Sequence, residues 1–228
     1  MRIAGLQKVT LLDYPGKIAC TVFLDGCNMR CPFCHNPDLV LGASSWNLSV
    51  SSLLEFLETR KGKLEGVCIT GGEPTIHPEL PNLLREIQKA GFCVKLDTNG
   101  TNPKMLREFL EHGLVDYVAM DIKNAPERYA DSCGGMDFVK EIRESAALLM
   151  NGTTEYEFRT TVCSPLHGPE EMKKIGQWLA GAKRYYLQQF VNSGAILGEE
   201  ITAVSPAVLE EMRQYLLPYI PSVKLRGV

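Results

Sequence analysis

The chain has 228 residues, a formal net charge of −3 and 45% hydrophobic residues, a length that suits one domain and a composition ordinary for a globular protein. The weak negative charge offers nucleic acid no basic field, and no apolar run approaches the roughly 20 residues that cross a bilayer. The start, Met1 to Leu6, lacks the apolar core of a signal peptide, so a cytoplasmic protein with neither nucleic-acid nor membrane partners is expected.

In chain order, Asp13-Tyr14-Pro15-Gly16 is a turn signature ahead of the first strand-like run, Ile18 to Leu24. A loop follows in which Cys27, Cys31 and Cys34 have C-x3-C-x2-C spacing. Ser49 can cap a helix from about Val50 to Arg60, with Leu53, Leu54 and Leu57 on one face. Gly66 to Thr70 reads as a short buried strand that runs into Gly71-Gly72-Glu73-Pro74, and Pro78 to Ala90 as a helix stopped by Gly91. Phe92 to Leu96 is a strand ending in Asp97-Thr98-Asn99-Gly100, and Pro103 to His112 a helix followed by Gly113. Val115 to Met120 is a strand ending in Asp121-Ile122-Lys123, and Asp137 to Met150 a helix. Tyr156 to Val162 is a strand that carries Arg159 in an apolar run, and Pro169 to Ala180 a helix with proline at its first turn. Arg184 to Phe190 is a strand, Pro206 to Leu217 a helix and Val223 to Leu225 a last short strand.

Six strand–helix units in series predict an α/β fold of parallel strands joined by right-handed crossovers, either a doubly wound sheet or a barrel. Most strands end in a polar, Gly-rich or charged motif, and barrels assemble their sites on that rim. Residues 1–228 read as a single domain, without linker, low-complexity run or short-period repeat.

Thiolates bind soft metals and hold iron–sulfur clusters. A four-iron cluster would find only three ligands in residues 27–34, because the next cysteine, Cys68, lies inside a distant apolar run. One iron would then be open, which marks a catalytic rather than a structural centre. The bland alternatives are three unrelated thiols or a zinc loop, and structural zinc usually takes four protein ligands. Cys20, Cys68, Cys93 and Cys163 sit in or beside apolar runs and read as small buried hydrophobes. Cys133, in Ser132-Cys133-Gly134-Gly135, is in a setting that suits exposure, and no role follows for it.

C-x3-C-x2-C with Phe33 before the last cysteine resembles the radical S-adenosylmethionine superfamily. The continuation Cys34-His35-Asn36 is similar to the activating enzymes of glycyl-radical enzymes, most of all to those of anaerobic ribonucleoside-triphosphate reductase, over nearly the whole chain. The resemblance selects a single-domain, partial (β/α)6 TIM-like barrel. It implies one [4Fe-4S] cluster on Cys27, Cys31 and Cys34, with S-adenosyl-L-methionine on the open iron. It further implies Phe33 and the His35 backbone at the adenine, and Gly72 at the methionine amino group, with Gly71 and Glu73 shaping that turn. Asp97 and Thr98 would lie near the ligand and help hold a monovalent cation. Asp121 and Lys123, on one strand face with Ile122 opposite, would border the nucleoside and a carboxylate. Arg159 would contact the cofactor, since an unpaired arginine inside a strand needs an anion or acceptors.

Asp13, Pro15 and Gly16 match a turn that lies near the active site in related activases, although Tyr14 replaces a glycine there, and a role for Asp13 in positioning the substrate backbone is the expectation weighed against a plain surface turn. Relatives carry a ligand-contacting histidine after the sixth strand. Here the position reads Val191, followed by Asn192-Ser193-Gly194, so Asn192 takes the place or the contact is lost. His77, His112 and His167 have no arguable partner.

The implied reaction is reductive cleavage of S-adenosyl-L-methionine to methionine and a 5′-deoxyadenosyl radical, which takes a hydrogen atom from a glycine of a partner glycyl radical enzyme. A flavodoxin or ferredoxin-type donor would supply the electron. One rival is a superfamily enzyme acting on a small molecule, in the manner of 7-carboxy-7-deazaguanine synthase, which also carries Gly-Gly-Glu-Pro but often has a lengthened first cysteine spacing. The other is a non-catalytic iron–sulfur or zinc redox sensor, which would bind no S-adenosyl-L-methionine.

Overall fold

The computed structural model describes residues 1–192, 194 and 196–228. In chain order the elements are β1 (Ile3–Thr10), β2 (Ala19–Leu24), α1 (Pro37–Leu41), α2 (Val50–Glu58), β3 (Gly66–Gly71), α3 (Leu80–Lys89), β4 (Cys93–Thr98) and α4 (Pro103–Glu111). They continue with β5 (Tyr117–Asp121), α5 (Tyr129–Cys133), α6 (Val139–Asn151), β6 (Glu155–Ser164), α7 (Pro169–Trp178), β7 (Tyr185–Gln189), β8 (Thr202–Ala203), α8 (Pro206–Leu216) and β9 (Val223–Arg226). The sheet order is β1-β2-β3-β4-β5-β6-β7-β9, parallel from β2 onward. β1 is antiparallel to β2, and β8 pairs antiparallel with β6.

Local chemistry accounts for the helix starts. Ser49 Oγ accepts from Ser52 N at 3.0 Å and Asn102 Oδ1 from Met105 N at 3.1 Å, each satisfying an orphan first-turn donor. Prolines at the starts of α4, α7 and α8 preset the backbone angle there.

The strands sort their side chains by parity. Val94, Leu96, Val118, Met120, Tyr156 and Phe158 join the main apolar core with helix residues such as Leu84, Ile87, Phe109 and Leu149. The alternate residues Lys95, Asp97, Asp121, Glu157 and Arg159 line cavities on the other face. Leu12 and Pro15 from the β1–β2 turn share one of those cavities with Gly227, just past β9. The sheet therefore curls its two edges toward each other, although β1 and β9 do not pair: a partial barrel with a polar inside.

Three features depart from the sequence reading. β1 precedes the first expected strand; irregular register at Ile3/Gly5 and Gln7/Thr10, with Gln7, Lys8 and Val9 exposed, blurs the alternation that would announce it. The short helices α1 and α5 and the two-residue β8 are too brief for a periodic signal. Cys133, expected at the surface, is 0% exposed, because α5 packs under the cysteine loop and Arg30 N donates to the Cys133 carbonyl at 3.1 Å.

Candidate active site

The loop after β2 and the ends of β3 to β7 surround a cavity of about 240 Å³. Its lining includes Cys27, Cys31, Phe33, Cys34 and His35 from the loop, with Gly71, Gly72 and Glu73 after β3. Asp97, Thr98, Asp121, Lys123 and Arg159 complete the predicted set on its wall, together with Thr161 and Gln188. Asp13 borders a second cavity of about 470 Å³, which shares Asp97, Arg159 and Gln188 with the first. Its carboxylate accepts from Thr21 Oγ1 at 2.5 Å.

The three thiols border one cavity, though among the described residues no three His, Cys, Asp or Glu side chains converge on a single-ion position. Burial pushes the Cys31 thiol up to about 12, with Lys123 the largest opposing influence. Cys27 is likewise raised, chiefly by burial. The Lys123 ammonium lies 6.0 Å from the Phe33 ring centroid and 2.9 Å from Asp121 Oδ2.

The motifs form one hydrogen-bonded unit. Glu73 is fully buried, and its Oε1 accepts from Thr75 N (3.0 Å), Thr75 Oγ1 (2.5 Å) and Thr98 Oγ1 (2.7 Å). Its Oε2 accepts from Asn99 N at 2.6 Å. Burial raises this carboxyl's pKa, and the four donors pull against it. Asn99 in turn donates from Nδ2 to Asn28 Oδ1 at 2.9 Å, which ties the cysteine loop to the β4 turn. Glu73 thus shapes the turn. Replacing it with glutamine sets an amide N–H₂ against those donors and should lower stability by about 2–3 kcal/mol, read from denaturant melts.

Gly71 and Gly72 line the cavity, and the chain's own packing also requires them. A Cβ on Gly71, whose φ is +122°, would lie 2.2 Å from the Leu24 carbonyl oxygen, and one on Gly72 would lie 1.8 Å from that of Gly26. The close approach is therefore to the chain itself, where β3 passes the start of the cysteine loop. Backbone cannot yield as a flexible side chain can, so Gly72→Ala should give mostly insoluble protein, checked by its soluble yield beside a Gly91→Ala control.

The geometry adds to three of the expectations. Thr98 turns its hydroxyl to Glu73, and the Asp97 carboxylate pairs with Lys95 and Arg159, so both side chains are engaged within the cavity wall. Asn192 is exposed, and its Oδ1 accepts from Gly194 N at 2.9 Å, while Ser193 lies outside the described residues. Phe190, just past β7, stacks on His35 with centroids 5.2 Å apart. His167, given no partner from sequence, is buried; its Nε2 donates to the Lys123 carbonyl at 2.8 Å, and its ring meets Phe33 edge-on.

Sequence reasoning also missed Lys95, Glu157 and Arg226 inside the barrel. Arg226 grips buried Glu157 with two bonds, at 2.6 and 2.9 Å, and stacks 3.5 Å over the Tyr186 ring. Period-2 placement of charges in otherwise apolar strands was the signal available.

Comparison with known proteins bears on this site. The Radical SAM superfamily model matches residues 21–179, from β2 through the cysteine loop and four crossovers to α7. The chain belongs to the radical SAM superfamily. A protein of Methanocaldococcus jannaschii with the provisional name glycyl-radical enzyme activating enzyme is 28% identical over 233 residues, covering 99% of this chain and 96% of that one. The pyruvate formate-lyase-activating enzyme of Clostridium pasteurianum is 34% identical over 131 residues, 55% of this chain and 54% of that protein. The crystal structure of Streptococcus suis SuiB bound to precursor peptide SuiA superposes with a TM-score of 0.73 at 13% identity, over 91% of this chain and 48% of that one, a likeness of fold. The radical SAM chain is thus an enzyme with the expected α/β partial barrel. None of its helices is long and apolar enough to cross a membrane among the described residues.

Proposed function

We propose that this radical SAM enzyme is a cytoplasmic glycyl-radical enzyme activating enzyme, formed as one domain, whose partner is an anaerobic ribonucleoside-triphosphate reductase. The observation that carries the reading is the meeting of three loop thiols with the cations Lys123 and Arg159 around one cavity. The donor set fits a [4Fe-4S] cluster, because Cys27, Cys31 and Cys34 are soft ligands, and Lys123 opposes the burial that raises Cys27 and Cys31. When bound, a reduced cluster supplies the electron that cleaves S-adenosyl-L-methionine to methionine and a 5′-deoxyadenosyl radical.

The chain's own groups bind and orient. Arg159 and Lys123 offer donors to the ligand's carboxylate, while Asp97 and Asp121 hold the Arg159 guanidinium from two sides. Phe33 and the stacked His35–Phe190 pair give the adenine an apolar wall. Burial and then Lys123 lower the pKa of His35, which keeps it neutral against a cationic ligand. The Gly71-Gly72-Glu73 turn sets the height of the opposite wall.

The second cavity supports a protein partner. It lies between the β1–β2 turn and β9 and adjoins the first cavity at Asp97, Arg159 and Gln188, which suits the approach of a glycine-bearing segment past Asp13. An external flavodoxin or ferredoxin-type protein delivers the electron. The test is anaerobic incubation of the loaded protein, reductant and S-adenosyl-L-methionine with anaerobic ribonucleotide reductase, read by electron paramagnetic resonance. A glycyl radical doublet on the reductase is expected. Cofactor cleavage without that doublet, alongside turnover of a small deazapurine precursor, would favour the small-molecule rival.

A further inference from the structure

Lys95 on β4 has a side chain only 2% exposed, and the motifs do not include it. Its Nζ pairs with Asp97 Oδ1 and lies 3.7 Å from Cys68 Sγ. From there a line of alternating charges crosses three strands. Asp97 Oδ2 accepts from Arg159 Nη1 at 3.1 Å, and Asp121 Oδ1 accepts from Arg159 Nε at 2.8 Å. Asp121 Oδ2 accepts from Lys123 Nζ at 2.9 Å. Three cations and two carboxylates leave the line one net positive charge. Without Lys95 it would be neutral.

The geometry also shows what would follow. Among the described residues Arg159 Nη2 has no protein acceptor and Lys123 Nζ has Asp121 alone, and both residues line the cavity, so they have donors to spare for a ligand there. Asp97 can share Arg159 because its other oxygen is satisfied by Lys95. An Asp97 stripped of that ammonium would be a nearly dry carboxylate whose Oδ1 keeps only the weak Cys68 thiol donor at 3.7 Å, a costly state. The remedy within reach is a two-pronged grip on Arg159, which planar guanidinium–carboxylate pairs favour. That grip would draw the guanidinium from Asp121 and turn Nη2 away from the cavity.

We propose that Lys95 is a positioning residue: its ammonium satisfies Asp97, so that Arg159 and Lys123 present one net positive charge to a ligand carboxylate. The inference rests on S-adenosyl-L-methionine being the cavity's ligand and adds the device that sets the carboxylate subsite. Burial alone would raise the Asp97 carboxyl, and Arg159 and then Lys95 outweigh it to hold the group ionised.

The test compares anaerobic equilibrium binding of S-adenosyl-L-methionine and of its decarboxylated analogue to the cluster-loaded protein. The wild type should prefer the carboxylate-bearing compound. In Lys95→Met that preference should shrink about tenfold at unchanged iron content, while Lys95→Arg retains it. Should Lys95→Met fail to fold, Lys95→Gln, which keeps a hydrogen bond to Asp97 but no charge, carries the same expectation. A wild-type preference in the neutral variants, or an equal loss of both ligands, would overturn the inference. A wild type that binds neither compound would instead overturn the function proposed for the cavity, a result seen before any substitution is made.

Discussion

Reconstituted anaerobically with iron and sulfide, a Cys31→Ala variant should retain no stoichiometric iron and show no iron–sulfur absorbance near 400 nm, the order of wavelength at which thiolate-bound clusters absorb. Cys27→Ala and Cys34→Ala should behave alike, because the loop has no spare donor. Cys133 and Cys163 are buried, and each is already turned to a local partner, the Met136 carbonyl at 3.0 Å and His167 Nδ1 at 3.7 Å. The fold should survive, since each change removes a single sulfur from a core of large apolar side chains, at a cost of about 1 kcal/mol. Wild-type iron and absorbance in any single variant would remove that cysteine from the ligand set.

The second large effect is expected at Arg159. Arg159→Met should weaken S-adenosyl-L-methionine binding at least a hundredfold, about 2.7 kcal/mol, and lower stability by about 3–5 kcal/mol. The stability loss has a specific origin: Asp97 and Asp121 share this one guanidinium, and its removal leaves two largely buried carboxylates facing each other. The pH dependence should change with it. Burial would raise the Asp121 carboxyl, but Arg159 and Lys123 overcome that and bring it down to about 2 from the ordinary 3.8. A depressed carboxyl stabilises the fold above its unfolded pKa, near 4, and that contribution is lost as pH falls toward 2. Without Arg159 the loss should begin at higher pH, and melting curves between pH 3 and 7 would show it. Binding and acid stability both at wild-type levels would remove Arg159 from the site.

Both results bear on how much of the molecule can be read from its residues. The strand–helix alternation from β2 to β9 is legible because the longer helices have an apolar face, most of them a capping residue or proline at the start and, in several cases, a glycine after the end. The cysteine spacing is legible because it is local chemistry. The face shared by Asp121 and Lys123 follows from strand parity, and in the structure Ile122 is fully buried opposite them. What stayed hidden is what tertiary contact decides. β1 is stabilised by pairing with β2, not by its own pattern. Cys133 looks exposed among glycines, yet α5 is folded under the cysteine loop. His167 lies 44 residues from the lysine whose carbonyl it holds. The glycine pair invites a ligand-binding explanation, and only the folded chain shows its second constraint, the close approach to Leu24 and Gly26. Lys95 reads as a stray charge in an apolar strand until the barrel places Asp97 and Arg159 beside it.

The most direct measurement of the central claim is the formation of 5′-deoxyadenosine. The protein is loaded with iron and sulfide without oxygen, reduced, mixed with S-adenosyl-L-methionine and sampled over time by chromatography. The account predicts 5′-deoxyadenosine and methionine in equal amounts from the wild type and none from Cys31→Ala. A fully loaded, reduced wild type that yields neither product and binds no S-adenosyl-L-methionine would contradict it and leave the cysteine loop as a redox-sensing centre.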